Sequence, residues 1–367
     1  MEDLMLKSLE QASEAERDNE TFVLKYLKEK TEKNEFIVFS EETDFRFASP
    51  RLQNDKNFCL KVLEILPNSL KHMSEELRND KEIIFSYFKG EEGILYPINE
   101  QLAYMGKKLK EDREFVKEIC RDDGSRLCFA NKKFLNDREM VELAIQTKPR
   151  VILKTTPEFR EKNKDLVKKS LEKNGKILED LPLKGFRDNP EFILPAVKNT
   201  GDALKFAFLE SEYNPAVYSE ILKEAIENPS NKLNPALSFI PEEYQSYELV
   251  EKAIEMNSFS IAFAREDLAN HPTLANRVIE KNIEDLSRCG IKFQEEKIQE
   301  NPEKYLYHAK IPVQVDFLEK EGNLKYKSFA VRDAQLIVER NLKIRGKVKR
   351  NPFIQKANND RDKGLGR

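Results

Sequence analysis

Apolar residues in this chain recur at helical spacing behind a short polar phrase, which returns about every 25 residues. The segments LRNDKEIIF (77–85), LKEDREFV (109–116) and FLNDREMV (134–141) each place an aspartate directly before an apolar-periodic run. Self-similarity at such a period predicts a stacked-repeat architecture. The aspartates of the phrase are Asp55, Asp80, Asp112, Asp137 and Asp188, with weaker copies near Asp18, Asn163, Asn214, Ser246 and Asn270.

Each copy of the phrase predicts one helix start, because an aspartate at the N-cap accepts hydrogen bonds from the free amides of the first turn. We therefore predict that Asp55, Asp80, Asp112, Asp137 and Asp188 are structural helix N-caps. A second short apolar stretch follows each run, which predicts a unit of two antiparallel helices of roughly 8–12 residues each. Such helices need neighbours to bury their apolar stripe. The fold class predicted is an all-α helical-repeat solenoid of about 25-residue helix-pair units with a cap at each end.

The repeated phrase, and the places where it becomes degenerate, divide the chain into four parts. Residues 1–50 form an N-terminal cap with a first divergent repeat, and residues 51–290 form the tandem helical repeats. Residues 291–336 form a degenerate repeat or C-terminal cap. Residues 337–367 form a basic, partly flexible tail.

Two intervals between helix starts are longer than the rest, at 32 residues (80 to 112 and 214 to 246). Extra residues in a solenoid go to loops. The first insertion contains Ile94, Leu95 and Tyr96, and the second contains Leu237 and Phe239. These apolar residues either form tips that dock on a protein partner or fold back and extend the local core, which is the simpler interpretation.

Composition agrees with a helical chain: 39% of the 367 residues are hydrophobic and 35% are charged, with 23 Phe, only 12 Gly and no Trp. Few glycines and no tryptophan argue against a β-sandwich or propeller. The sequence has no apolar run of 18 residues and no signal-peptide start, so we expect no membrane association and a cytoplasmic location. Delivery into a host cell or association with a virion stays open. Four cysteines are too few for a disulfide framework.

No pattern predicts catalytic, cofactor-binding or metal-binding residues. His72, His271 and His308 are isolated along the sequence, and neither a His-Glu-x-x-His nor a Gly-x-Ser-x-Gly motif occurs. The paired carboxylates of RDDGSR (121–126) fall where a repeat turns between its helices. The row of aspartates would suit cations lining a groove, but helix capping explains each of them without a ligand.

The C-terminal tail is basic, whereas the rest of the chain is acidic. Residues 337–367 contain ten Lys or Arg and three acids, a net charge of +7, against –10 for the other 336 residues. A basic arm on an acidic body suits nucleic acid or an acidic protein surface, and its alternative is a solvated tail that packs on the body. The candidate partner-binding residues of this arm are Lys347, Lys349, Arg350, Phe353 and Ile354.

The repeated phrase resembles the DUF4116 repeat, a short helical unit that occurs in tandem in effectors of intracellular bacteria, in protists and in large viruses. The segments that carry the resemblance are DNETFVLKYL (18–27), DREFVKEI (112–119), DREMVELAI (137–145), NPEFILPAVKNTGDALKFA (189–207) and YELVEKAIEMNSFSIAFAREDLANH (247–271). It covers roughly residues 18–290. The resemblance implies a helical array and a bacterial effector or a viral or phage component, and it implies no activity.

The sequence thus favours a non-catalytic protein–protein interaction scaffold without a cofactor. The alternative is a nucleic-acid-associated assembly or packaging protein that uses residues 337–367. The partner's identity cannot be read from the residues.

Overall fold

The computed structural model describes residues 8–33, 43–90, 99–208, 215–229, 235–320 and 322–349. Across these ranges the chain is all-α, with α-helices and 3₁₀ helices and no strand. It divides into two compact units at Ile177. The predicted all-α repeat fold is therefore confirmed.

The α-helices of the N-terminal unit alternate between longer and shorter ones, except that the two ten-residue helices α8 and α9 follow each other. They are α1 (Glu14–Arg17), α2 (Glu20–Lys33), α3 (Pro50–Gln53), α4 (Lys56–Ile65), α5 (Glu75–Arg78), α6 (Lys81–Gly90), α7 (Lys107–Glu111), α8 (Arg113–Asp122), α9 (Arg138–Thr147), α10 (Pro157–Lys162) and α11 (Lys164–Lys173).

The C-terminal unit continues with α12 (Pro190–Asn199), α13 (Pro215–Glu227), α14 (Tyr247–Met256), α15 (Glu266–Ala269) and α16 (Pro272–Lys281). Its last helices are α17 (Ile291–Glu300), α18 (Pro302–Tyr305), α19 (Ile311–Glu319) and α20 (Arg332–Lys349).

A repeat consists of one ten-residue α-helix, a six-residue 3₁₀ helix and a short third element, as in α4, Pro67–His72 and α5. The second helix of the predicted pair is thus a 3₁₀ helix of six residues, shorter than the 8–12 residues predicted. The reason is that the second segment has too few apolar positions for a longer helix. In Gly201–Phe206, for example, only Gly201, Ala203 and Leu204 are buried, which two 3₁₀ turns accommodate.

The core takes three or four residues from each ten-residue helix, at its third, fourth, seventh and eighth positions. In α8 these are Phe115, Val116, Ile119 and Cys120, and in α9 they are Met140, Val141, Ala144 and Ile145. Residues at this spacing share one helix face. Full burial of each large apolar side chain contributes roughly 1.5–3 kcal/mol. Stacked neighbours thus supply the stability that a ten-residue helix lacks alone.

Four aspartates of the phrase occupy the N-cap position. The carboxylates of Asp55, Asp112 and Asp137 accept from the backbone N–H three residues later, at 2.9, 3.0 and 3.2 Å. Asp80 accepts from the N–H groups of Glu82 and Ile83 at 2.9 and 3.3 Å.

Asp188 is not an N-cap, contrary to the prediction. Its carboxylate accepts from the Gly185 N–H at 2.6 Å and closes a turn in which Gly185 has a φ of 89°. This turn moves the helix start one residue along, so Asn189 caps α12 and accepts from the Glu191 N–H at 2.9 Å. Pro190 then takes the first helical position, where proline is favoured.

Residue 337, where the basic tail is predicted to begin, lies inside α20. This helix runs from Arg332 to Lys349, and Val338 is fully buried in it. Val338 lies four residues after the buried Ala334, so the apolar stripe of the array continues past the predicted boundary.

Candidate interaction surfaces

In the N-terminal unit, the basic residue that follows each capping aspartate reaches the acidic residues of the next repeat. Lys56 Nζ lies 2.8 Å from the Asp80 carboxylate and 2.7 Å from Glu82. The same pairing joins Lys81 to Asp112, Arg113 to Asp137 and Glu139, and Arg138 to Asp165. We call this series the ion-pair ladder.

The ladder perturbs the acids that it joins. The bond from the Arg113 guanidinium lowers the pKa of Asp137 below its ordinary value, aided by the backbone N–H of Met140. The backbone N–H of Phe115 and the Lys81 ammonium lower the pKa of Asp112 in the same way. Asp80, Asp112 and Asp137 thus serve capping and repeat stacking, and their negative charge is balanced by cations of the chain itself.

The asparagine before the capping aspartate joins successive repeats, a role that the sequence reasoning missed. Asn79 Oδ1 accepts from the Lys108 N–H at 2.9 Å, and Asn136 Oδ1 accepts from the Thr156 N–H at 3.2 Å. A Cβ at Gly106 would lie 2.1 Å from Asn79 Oδ1, so this contact requires glycine at residue 106. The signal was present as the Asn-Asp pair at 54–55, 79–80 and 136–137.

In the C-terminal unit, buried glutamines also join the repeats. The side-chain oxygens of Gln245, Gln294 and Gln314 accept from the backbone N–H groups of Arg265, Lys310 and Val331 at 2.6, 2.9 and 2.9 Å. Their side-chain amides donate to the carbonyls of Ile240, Cys289 and Ala309 at 3.0, 2.7 and 2.7 Å. We call Gln245, Gln294 and Gln314 the glutamine clamps; all three are at most 2% exposed.

Aromatic residues recur at one position of the 3₁₀ helices, two residues after a buried leucine or isoleucine. In the C-terminal unit they are Phe206, Phe239 and Phe263, which we call the aromatic column. Their 3₁₀ helices, Gly201–Phe206, Ala236–Phe239 and Ser258–Phe263, pack side by side in this order. Phe206 and Phe239 are half-buried, and Phe263 is 37% exposed.

The contacts around this column are aromatic and cationic. Lys205 Nζ lies 4.6 Å from the centroid of the Phe206 ring. The rings of Phe263 and Phe259 meet edge to face with centroids 5.4 Å apart, and the Arg288 guanidinium lies 4.4 Å from the Phe259 centroid. Aromatic residues and arginine are enriched at protein interfaces relative to the rest of the surface.

Leu237, one of the candidate partner-binding residues, is a core residue with 1% exposure. In a 3₁₀ helix the positions i and i+3 share a face, so Leu237 points inward while Phe239, two residues on, stays half-buried. Lys347 and Lys349 lie in α20, and their side chains fall outside the described part. Ile94, Leu95, Tyr96, Arg350, Phe353 and Ile354 all lie outside the described residues.

Three of the four thiols and the paired acids at 122–123 have structural surroundings. Burial raises the pKa of the Cys59, Cys120 and Cys289 thiols to about 12, so these thiols are protonated and weakly nucleophilic at neutral pH. Asp122 pairs with Arg126 at 2.5 Å, and Asp123 caps the 3₁₀ helix Gly124–Phe129. Over the described ranges, no three His, Cys, Asp or Glu residues cluster as metal ligands would. None of the helices described there has the length and apolarity to cross a bilayer.

The chain is a tandem helical-repeat protein. Its repeats combine α-helices and 3₁₀ helices, and ion pairs and glutamine clamps join one repeat to the next. The family model DUF4116, a domain of unknown function, matches residues 55–102, 112–160 and 163–210. The model thus matches three consecutive segments of the chain, and each match takes in two long helices: α4 and α6, α8 and α9, and α11 and α12. No curated protein and no solved structure shows a significant match to this chain.

Proposed function

We propose that this chain is a non-catalytic scaffold that binds a protein partner through the aromatic column of its C-terminal unit. The observation that carries the proposal is an aromatic residue at a position where the fold does not need one. The buried residues Leu204, Leu237 and Ile261 fill the core two residues earlier in each 3₁₀ helix.

The equivalent position in other repeats shows how little the fold demands there. It is occupied by Lys154 in Pro149–Lys154 and by Asp180 in Gly175–Asp180, each two residues after a buried Ile152 or Leu178. A position that accepts lysine and aspartate is a surface position. Half-exposed phenylalanines on three consecutive 3₁₀ helices therefore offer contact area, and aromatic anchors carry a large share of binding energy at protein interfaces.

The setting that we propose, a bacterial effector or a viral or phage component in the cytoplasm, rests on the DUF4116 resemblance alone. The second candidate function, nucleic-acid association through residues 337–367, rests on the net charge of +7 in that segment.

The test is affinity purification from the native host with nuclease treatment. Wild type is compared with a Phe206→Lys/Phe263→Lys variant, which the fold should accept because Lys154 occupies the equivalent position. Met256→Lys, at a side chain 50% exposed on α14, is the matched control. We expect one protein partner with wild type and with the control, and a loss of roughly tenfold or more with the double variant, the size of one or two hot spots.

Equal recovery of the partner by all three proteins would refute the aromatic column as the contact surface. Recovery of nucleic acid in place of a protein, falling steeply with salt and lost on truncation at residue 336, would support the second candidate function instead.

A further inference from the structure

Helix α20 exposes two apolar side chains at positions where other long helices are charged. Leu336 and Ile337, the fifth and sixth residues of α20, are 45% and 39% exposed. Charged residues take the fifth and sixth positions of α8, α11, α14 and α17, namely Lys117 and Glu118, Lys168 and Lys169, Glu251 and Lys252, and Glu295 and Glu296. The repeat therefore does not require apolar residues at these positions.

Within the array, these positions are where neighbouring long helices meet. The carboxylate of Glu142, fifth in α9, lies 2.5 Å from Nζ of Lys169, sixth in α11. The carboxylate of Glu251, fifth in α14, lies 2.8 Å from Nη1 of Arg277, sixth in α16. A fifth residue thus contacts the sixth residue of the next helix. Because α20 is the last helix that the structure describes, Leu336 has no such partner in the described part of the chain.

Two exposed charged residues flank the apolar pair. Asp333 lies three residues before Leu336, and Arg340 lies three residues after Ile337. Residues three, four and seven apart lie on the same side of a helix, so the four residues form one exposed patch in the order acid, Leu, Ile, base. We call Asp333, Leu336, Ile337 and Arg340 the α20 patch. Neither charged residue forms an ion pair with a residue that the structure describes, so both charges are open to a partner.

The α20 patch is complementary to a second copy of itself. Let two α20 helices lie antiparallel about a two-fold axis that passes between residues 336 and 337. Asp333 of one copy then faces Arg340 of the other, and Leu336 faces Ile337, because both pairs are centred on the same point of the sequence. A parallel pair would instead set like charges against each other. The antiparallel pair also repeats the contact of a fifth with a sixth residue that the array uses between its own helices.

We propose that two copies of this chain associate through the α20 patch, with their α20 helices antiparallel. The two-fold axis makes each contact occur twice, so the interface contains two ion pairs around a small apolar centre. The patch covers about 10 Å of the helix axis, since each residue rises 1.5 Å. An interface of this size is small, and the dimer is therefore reversible and dependent on protein concentration.

The experiment is sedimentation velocity of the full chain at low salt, from about 1 µM to about 300 µM, the range in which weak dimers dissociate. A reducing agent is present because Cys128 is exposed. Wild type is compared with Asp333→Arg and Arg340→Asp, each alone and then mixed in equal amounts. Each variant alone sets like charges against each other at both contacts, so we expect its dimer to dissociate at concentrations at least about tenfold higher than the wild-type dimer. The mixture should recover wild-type association, because each variant supplies the charge that the other has lost.

Leu342→Arg is the matched control. Leu342 is 41% exposed on the same helix, but at 3.6 residues per turn it lies on nearly the opposite side from the α20 patch. Its association should equal that of wild type. Circular dichroism of each variant verifies the helix content, because Asp333 also lies in the first turn of α20, where its charge complements the helix dipole.

A wild-type chain that stays monomeric over the whole concentration series would overturn the proposal. A mixture that associates no better than its two components would overturn it as well, since no other arrangement of these charges predicts the recovery. Dimerisation that neither single variant weakens, or that Leu342→Arg weakens equally, would overturn it in favour of another contact surface.

Discussion

The glutamine clamp at Gln314 allows a quantitative test of how the C-terminal repeats are held together. Its side-chain amide donates to the carbonyls of Ala309 and Tyr307 at 2.7 and 3.2 Å, and its oxygen accepts from the Val331 N–H at 2.9 Å. The side chain is fully buried. We predict that Gln314→Ala strongly destabilises this unit, because it leaves buried backbone groups of two repeats without partners.

The expected size follows from the three bonds. At about 1 kcal/mol net for each hydrogen bond, the variant loses about 3 kcal/mol, and the unsatisfied groups and the void left behind raise rather than lower this figure. With a urea m-value of about 2 kcal/mol/M, the unfolding midpoint should fall by about 1.5 M. Truncation of the exposed Gln299 to alanine should change stability by less than about 0.5 kcal/mol.

The assay is urea unfolding followed by circular dichroism, with hydrogen exchange at Val331 to report on this unit separately, since repeat arrays do not always unfold in one step. Faster exchange at Val331 in the variant would show that the loss is local to the clamp. A midpoint shift no larger than that of Gln299→Ala would refute the reasoning, because the clamp would then add nothing beyond apolar packing.

Two further predictions concern the cysteines and the ion-pair ladder. In the native protein a maleimide should label the exposed Cys128, and the other three thiols should react only after unfolding. Mass spectrometry of the labelled peptides measures this. Labelling of a second cysteine in the native protein would contradict the burial of Cys59, Cys120 and Cys289. Arg113→Met should lower the urea midpoint at pH 7. The loss should vanish as the pH falls through the folded-state pKa of Asp137, which lies below the unfolded value of about 3.9. The reason is that a carboxylate with a lowered folded-state pKa stabilises the fold only while it is ionised. A deficit that persists at pH 2 would show that Arg113 acts through packing rather than through its charge.

Capping could be predicted from the sequence because it is local. The hydrogen bond that identifies Asp112 as a cap spans three residues, and the residues that decide it all lie in one phrase. Asp188 was mispredicted for an equally local reason, since a positive φ at Gly185 moved the helix start to Asn189. The second helix of each repeat was mispredicted because six residues with one apolar cluster look the same in a periodicity pattern whether they form an α or a 3₁₀ turn.

The glutamine clamps could not be predicted in this way. Gln294 and Gln314 each occupy the fourth position of a helix, where a polar residue normally indicates solvent. Their burial depends on the next repeat covering them, which is a tertiary event. Their spacing of 20 residues was visible, but it differs from the period of about 25 that identified the repeats.

The contacts between repeats also indicate where function should be sought. In the phrase of the N-terminal unit, the asparagine holds the neighbouring short element, the aspartate caps its own helix, and the lysine or arginine binds the acids of the next repeat. Each residue is thus committed to stacking, and a change there would act on stability before it acts on binding. Phe206 and Phe263 lie at a position of the 3₁₀ helix that stacking leaves unconstrained, since lysine and aspartate occupy it elsewhere. Selection for a partner can act on that position without loss of the fold, and this is why the aromatic column, rather than the row of aspartates, is the surface to test first.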